Sequence, residues 1–167
     1  MKRVQIGLLG LGTVGSGLVE LVQRNRKLIE EKSGVSISVK RALVKEKIKD
    51  RPLDPKLVTT DPEEIFGDPD IDIVAELIGG IEPARTYILR ALAAGKNVVT
   101  ANKAVLAAHA EELFGAAAKA GRQIGFEASV CGGIPIIRAI TSGLIANRID
   151  LLCGILNGTT NYILTRM

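Results

Sequence analysis

The chain has 167 residues, of which 47% are hydrophobic and 24% charged, and its net charge at pH 7 is +4; this composition is typical of a soluble globular domain rather than a disordered or fibrous chain. Two cysteines and one histidine exclude a zinc ribbon, a disulfide-rich secreted scaffold and a metal site of three histidines. This cysteine usage fits a reducing cytoplasm, where we expect the protein to be. We expect no membrane-spanning segment, because no uncharged apolar run approaches the ~20 residues of a spanning helix.

The first half of the chain alternates between strand and helix patterns. Residues 4–9 form a short apolar run bounded by glycine, which predicts a strand buried on both faces. Apolar residues then recur at helical spacing from Thr13 to about Lys32. The following patterns predict, in order, a strand at Val35–Val44, a short helix at Asp61–Phe66 with Pro62 at its first position, and a strand at Ile71–Ile78.

The second half continues the alternation. It predicts a helix from Glu82 to about Ala94, a strand at Asn97–Thr100, a helix from about Ala104 to Ala120, a strand at Gln123–Phe126, a glycine-rich loop at Ala128–Gly133, a helix from Pro135 to about Ala146 and a strand at Ile149–Leu156. Gly95 and Gly121 are placed to end the helices that precede them. This order predicts an α/β fold, a doubly wound parallel sheet with right-handed crossovers.

A glycine motif lies between the first strand and the first helix. Gly10-Leu11-Gly12-Thr13-Val14-Gly15 matches G-x-G-x-x-G, the Rossmann-type pattern. Gly10 allows the tight turn, Gly12 lets a pyrophosphate approach the backbone, and Gly15 lets the helix pack close to the strand. The motif predicts dinucleotide binding; the alternative is a glycine-rich turn that binds no ligand. The pattern G-x-x-x-x-G-K-[ST] is absent from the sequence, which argues against a nucleoside triphosphatase.

A basic segment follows the second strand. Residues 40–56 supply the excess charge through Lys40, Arg41, Lys45, Lys47, Lys49, Arg51 and Lys56. The few aromatic residues are not interleaved with these charges, so we expect a compact phosphate rather than nucleic acid as the ligand, with a solvated basic loop as the alternative. The tip of the second strand faces the 2′ position of the adenosine ribose, so Lys45 and Arg51 favour NADP, although Glu46 leaves NAD open.

Polar residues also follow the later strands, in the segments 76–80, 100–103 and 127–135. Ligands of open α/β sheets bind at the carboxyl ends of the strands. Lys103 is a candidate catalytic residue, because a cation at a helix N-terminus is otherwise unfavourable; the alternative is a solvated lysine. Cys131 is a candidate nucleophile for an acylating semialdehyde dehydrogenase, but His109 lies in mid-helix and is poorly placed as its base.

Together these segments resemble homoserine dehydrogenase along the whole chain. The residues that carry the resemblance are Gly7–Gly15, Glu76–Gly80, Val98–Lys103, Phe126–Pro135 and Asn157–Asn161. The resemblance implies interconversion of L-homoserine and aspartate semialdehyde with a nicotinamide cofactor, a step towards threonine, isoleucine and methionine.

The resemblance also implies roles for individual residues. Lys103 would lie at the substrate and the nicotinamide, where its ammonium stabilises an oxyanion or moves a proton. A monovalent cation such as sodium would be held by Glu127 and the backbone carbonyls of Val130, Gly132 and Ile134; alternatively, Glu127 caps or orders the loop. The other expected cofactor contacts are Thr13, Val14, Gly79, Gly80, Thr100 and Gly158.

Members of the family continue into a substrate domain with a second catalytic lysine and an aspartate. We therefore expect residues 1–135 to form the cofactor-binding domain and residues 136–167 to begin a truncated α+β catalytic domain that supports homodimers in the complete enzyme. The chain alone should bind cofactor and turn over little substrate. A nucleotide-sensing module without catalysis remains an alternative, and the role of Cys131 stays open.

Overall fold

A computed structural model describes residues 1–46, 52–155 and 158–167 of the chain. Its strands are β1 (Lys2–Leu9), β2 (Val35–Leu43), β3 (Val58–Thr59), β4 (Ile73–Glu76), β5 (Asn97–Thr100) and β6 (Ile124–Gly125). They form one six-stranded sheet in the order β3-β2-β1-β4-β5-β6, and every neighbouring pair is parallel. This confirms the predicted doubly wound α/β fold.

In the described residues, helices lie between the strands and after the last one. They are α1 (Thr13–Arg24), α2 (Arg26–Ser33), α3 (Glu63–Phe66), α4 (Ala84–Ala93), α5 (Lys103–Ala120), α6 (Ile136–Arg138) and α7 (Gly158–Arg166). Single 3₁₀ turns occur at Pro55–Leu57 and Glu127–Ser129, and a π-helical turn at Ala139–Gly143 follows α6. Within the described ranges, no helix is long and apolar enough to cross a membrane.

The sheet is buried on both faces because helices cover both, and successive strand residues point to opposite sides. Leu8 of β1 packs with Val19 of α1, whereas the adjacent Leu9 packs with Ile88 of α4 and Leu113 of α5. Both leucines are completely buried. The uninterrupted apolar run of β1 follows from this double coverage.

The predicted helix from Thr13 to Lys32 is wrong in one respect, because the structure divides it at Asn25. Asn25 has φ −99° and ψ 14°, donates its N–H to Leu21 O and accepts from Ile29 N–H. Asparagine is a weak helix former because its side chain competes for backbone groups. The second part, α2, buries no residue and ends at Gly34 in the left-handed region (φ 69°).

Short or unpaired segments account for the other differences. The strand β3 was not predicted, since two residues give no periodic pattern. The predicted helix from Pro135 to Ala146 is reduced to α6 and the π-helical turn. The predicted strand at Ile149–Leu156 is wrong for residues 149–155, which have no regular structure, and Leu156 lies outside the described residues. A strand needs a neighbouring backbone to pair with, and the sheet of the described residues ends at β6.

Candidate functional site

A groove opens at the carboxyl ends of the central strands. The sheet register places Leu9 of β1 between Leu43 of β2 and Glu76 of β4, with Thr100 of β5 beyond Glu76. Strand order reverses between β1 and β4, which is the position where open α/β sheets bind ligands. The groove has a volume of about 690 Å³ and is lined by Gly10, Leu11, Gly12, Leu43, Val44, Lys45, Thr60, Leu77, Ile78, Pro83 and Tyr87.

The three glycines of the motif differ in what their backbone requires. Gly10 has φ +95°, and a Cβ there would lie 2.9 Å from Leu77 O, so only glycine makes this turn without strain. A Cβ on Gly15 would lie 2.2 Å from Gly10 O, which shows how closely α1 approaches the turn. A Cβ on Gly12 would meet no atom within 4 Å. Packing therefore does not require glycine at position 12. The open space next to its Cα can admit a ligand.

The N-terminus of α1 has three features that favour an anion. Gly12 is its N-cap residue, no described side chain caps the helix, and its first turn has no acidic residue. Thr13 and Val14 are exposed there. The N–H groups of the first turn have no intrahelical partners and carry the positive end of the helix dipole. They point to a site for the phosphates of a dinucleotide.

The basic tip of β2 is only partly described. Lys45 is exposed and lines the groove beside Val44 and Thr60, with the exposed Glu46 next to it. The other predicted contact with a 2′-phosphate, Arg51, lies outside the described residues. The structure therefore places one of the two predicted basic residues at the groove.

The ends of β4 and β5 bring the second group of predicted residues together. Gly79 and Gly80 both have left-handed φ angles, of 81° and 74°, and Lys103 is the exposed first residue of α5. No hydrogen bond or ion pair joins Lys103 to another described side chain. Thr100, predicted to touch the cofactor, is completely buried and donates its hydroxyl hydrogen to Glu76 Oε2 at 2.6 Å. Its side chain therefore offers no surface to a ligand.

Two residues of this region lie within the predicted segments 76–80 and 100–103 but were given no individual role. Glu76 is completely buried, and Asn102 is the N-cap residue of α5, where its Oδ1 accepts from Val105 N–H at 3.2 Å. A glutamate inside the apolar run of a buried strand was the sequence signal for the first. An asparagine directly before a helical run was the signal for the second.

The loop predicted to hold a cation begins at Glu127. Its Oε1 accepts from Ile137 N–H at 2.9 Å and its Oε2 from Arg138 N–H at 2.8 Å, so the carboxylate caps α6. Ile134 O accepts from Ile136 N–H at 2.8 Å. A carboxylate has about four lone-pair sites, so this capping leaves acceptor capacity for a hard cation. In the described ranges no cluster of three His, Cys, Asp or Glu side chains could hold a metal, so carbonyls would have to complete such a site.

The remaining candidates lie apart from the groove lining. Cys131 is exposed, with φ 48°, whereas His109 interrupts the regular geometry of α5 and places Nδ1 3.5 Å from Glu112 Oε2. No contact between described residues pairs the cysteine with the histidine. Gly158 is the first residue of α7, and the preceding Asn157 lies outside the described residues.

An ion-pair cluster ties α4 to α5 beside the groove. Arg85 donates to Glu112 Oε2 from Nε at 2.7 Å and to Glu82 Oε1 at 3.2 Å. The hydrogen bonds from Arg85 lower the pKa of Glu112, and hydrogen bonds from Thr86 and Arg85 lower the pKa of Glu82. Glu82 immediately precedes Pro83, which lines the groove, so this ion-pair cluster lies next to one wall of the groove.

Known proteins match the chain over its whole length. The family described as "Homoserine dehydrogenase, NAD binding domain" matches residues 10–127, and the family described as "Homoserine dehydrogenase" matches residues 135–167. The homoserine dehydrogenase of Bacillus subtilis is 47% identical over 169 residues, which cover 100% of this chain and 39% of the relative. That of Synechocystis is 49% identical over 164 residues, covering 98% of this chain and 38% of the relative.

Solved structures agree with these matches. A homoserine dehydrogenase from Thiobacillus denitrificans has a TM-score of 0.93 and 50% identity, covering 100% of this chain and 39% of that one. A putative homoserine dehydrogenase from Archaeoglobus fulgidus has a TM-score of 0.82 and 29% identity, covering 98% of this chain and 54% of that one. The chain thus spans about 39% of the length of the first of its curated relatives.

Proposed function

The chain belongs to the homoserine dehydrogenase family, and we propose that it forms the cofactor-binding part of an enzyme that interconverts L-homoserine and L-aspartate 4-semialdehyde. The observation that carries this proposal is the loop from Gly10 to Gly15. Its turn and its packing need glycine at positions 10 and 15, whereas Gly12 faces open space at a helix N-terminus that no described side chain caps. Such a loop binds the pyrophosphate of a dinucleotide.

The chemistry of the reaction assigns a role to Lys103. When bound, the nicotinamide supplies the hydride acceptor or donor. Lys103 is exposed at the first position of α5, beside the ends of β4 and β5. Its ammonium stabilises negative charge on the substrate oxygen, or carries the proton that this oxygen loses or gains. The unfavourable position of a cation at a helix N-terminus is consistent with a role other than stability.

The preferred cofactor is NADP, with NAD as the alternative. Lys45 lines the groove at the end of β2, where the 2′ substituent of the adenosine ribose lies in this fold. Arg51 would be the second contact with a 2′-phosphate. Changing both to alanine should remove the preference for NADPH over NADH; equal affinities of the unchanged chain for the two would contradict it.

A monovalent cation such as sodium fits the loop after β6. Glu127 would supply a carboxylate oxygen, and Val130, Gly132 and Ile134 would supply backbone carbonyls, a set of hard oxygen ligands. The bound cation would supply fixed positive charge and order to a loop that Glu127 already ties to α6.

The complete enzyme would be a cytoplasmic homodimer that acts on small molecules, with its substrate domain beginning near residue 136. The function is tested by mixing the chain with NADP⁺ and L-homoserine and following the formation of NADPH. We expect the chain to bind the cofactor and to form NADPH very slowly. Rapid turnover would show that the chain is catalytically self-sufficient, and a folded chain that binds neither NADPH nor NADH would contradict the assignment of the glycine loop.

A further inference from the structure

Buried polar groups connect the carboxyl ends of β4 and β5. Glu76 and Thr100 have no exposed surface, and Asn102 is 7% exposed. Glu76 accepts two hydrogen bonds, from Thr100 Oγ1 at 2.6 Å and from Ile78 N–H at 2.8 Å. Thr100 Oγ1 in turn accepts from Asn102 N–H at 3.0 Å. Thr100 has a single hydroxyl hydrogen, which it donates to Glu76, so towards Asn102 N–H its oxygen acts as the acceptor. The direction of each hydrogen bond in the series is therefore determined.

Asn102 extends the series in two directions. Its Oδ1 accepts from Val105 N–H in the first turn of α5, and its Nδ2 donates to Gly80 O at 2.6 Å. The series therefore starts at Ile78 and returns to Gly80, two residues further along the same loop. It joins that loop to the helix turn that begins with Lys103.

A packing role alone does not explain these residues. Burying a carboxylate is unfavourable unless hydrogen bonds compensate it, and an apolar residue of similar volume often serves stability as well. Here the hydrogen bonds end on two groups that face the groove end of the sheet: the carbonyl of Gly80 and the start of α5. The adenosine half of a dinucleotide lies on the β1–β2 side of the strand reversal, so the nicotinamide half lies on the side of β4 and β5.

We propose that Glu76, Thr100 and Asn102 are positioning residues for the nicotinamide half of the site, which hold the Gly79–Gly80 loop and Lys103 in fixed relation. This inference rests on the proposed function, since it takes the groove as a dinucleotide site. It implies that the two halves of the cofactor depend on different residues: the adenosine and pyrophosphate half on Gly10–Gly15, and the nicotinamide half on the buried series.

The test compares two ligands that differ only in the nicotinamide: NADPH and ADP-ribose 2′-phosphate. Thr100→Val keeps the shape of the side chain but removes its donor and acceptor, whereas Thr100→Ser keeps both. Thr100→Val breaks both hydrogen bonds of this hydroxyl, to Glu76 and from Asn102 N–H, and we expect the loss of positioning to weaken NADPH binding by about tenfold. ADP-ribose 2′-phosphate should bind as before, and Thr100→Ser should restore NADPH binding. The fluorescence of bound NADPH should move towards that of free NADPH in Thr100→Val but not in Thr100→Ser.

Two further variants distinguish an effect on the nicotinamide half of the site from a general loss of stability. Asn102→Ser still caps α5, since serine is a good N-cap residue, but its hydroxyl is too short to reach Gly80 O, so we expect the same selective loss of NADPH. Thr59→Val is the matched control, because Thr59 is also a buried threonine at a strand end. Its hydroxyl donates to Glu64 Oε1 at 2.7 Å and accepts from Asp61 N–H at 3.0 Å, but it lies on β3.

The outcomes separate this inference from the proposed function. If the unchanged, folded chain binds neither ligand, the proposed function fails and the inference fails with it. If the unchanged chain binds both ligands, and Thr100→Val and Asn102→Ser weaken both equally or neither, the inference alone is overturned. A change in the ratio of the two affinities in Thr59→Val as large as in Thr100→Val would also overturn it, because it would show a general effect of lost stability.

Discussion

Replacing Gly12 by alanine should separate ligand binding from folding. Gly12 has φ −84°, which alanine adopts without strain, and the added methyl group would meet no atom within 4 Å. Alanine is a poorer N-cap residue than glycine, but it also lowers the conformational entropy of the unfolded chain, so these two effects oppose each other and the free energy of unfolding should change by less than about 1 kcal/mol. In the complex, however, the methyl group would stand between the helix N-terminus and the pyrophosphate. We expect NADPH to bind at least about tenfold more weakly, a change of about 1.4 kcal/mol.

Two other glycines of this region serve as reference substitutions for the effects on stability and on NADPH binding. Gly10→Ala should lower the free energy of unfolding by about 2–3 kcal/mol, because position 10 has φ +95° and its Cβ would lie 2.9 Å from Leu77 O. Gly17→Ala should raise it by up to about 1 kcal/mol, because position 17 lies inside α1 with open space around it. Gly17→Ala should leave NADPH binding unchanged.

Urea unfolding followed by circular dichroism measures the stability of each variant, and calorimetry measures its affinity for NADPH. Circular dichroism is suitable because the chain has no tryptophan. The reasoning is refuted if Gly12→Ala binds NADPH as tightly as the original chain. It is refuted equally if Gly12→Ala is as unstable as Gly10→Ala, since position 12 would then need glycine for folding.

Three other predictions concern charge. Lys45→Ala should weaken NADPH binding by about tenfold and leave NADH binding unchanged in calorimetric titrations, because only the 2′-phosphate would meet this cation; equal losses for both cofactors would contradict it. Burial raises the pKa of Asp68, but hydrogen bonds from Lys40 Nζ and Asp70 N–H lower it by more, so the net pKa lies below its usual value. The stabilisation is therefore present above the pKa of the unfolded chain and is lost as the pH falls through the folded pKa. Thermal unfolding across acid pH should show a shallower loss of stability in Lys40→Met, and an unchanged slope would argue against this pair. Sodium should raise the melting temperature relative to choline in the original chain but not in Glu127→Ala, and a sodium effect that survives in Glu127→Ala would exclude the proposed cation site.

The sequence predicted the parts of the fold that have strong local signals. The apolar run of β1 and the glycine motif after it were recognised because burial on both faces and the phosphate loop each impose a residue type at fixed positions. Gly10 and Gly15 have the conformational and packing requirements that were expected of them. The break at Asn25 was missed because the apolar spacing continues into α2, although α2 buries none of its residues.

Other features depend on contacts that a single sequence does not display. The strand β3 has two residues and exists through its pairing with Ala42 and Leu43. Glu127 was considered as a cation ligand and as a residue that caps or orders the loop, and its hydrogen bonds show that it caps α6. Thr100 was expected at the cofactor from the family resemblance, but its side chain is buried and donates its hydroxyl hydrogen to Glu76. The position of a residue along a strand predicts the end of the sheet at which it lies. The contacts of its side chain depend on the neighbouring strand, which a single sequence does not display.

The central claim is that the loop from Gly10 to Gly15 makes this chain a dinucleotide-binding unit. Calorimetric titration of the purified chain with NADPH and with NADH, at the same moderate salt concentration, tests it most directly. The account predicts saturable binding of one molecule per chain, with NADPH the tighter ligand. A chain that circular dichroism shows to be folded, but that binds neither cofactor, would contradict the account.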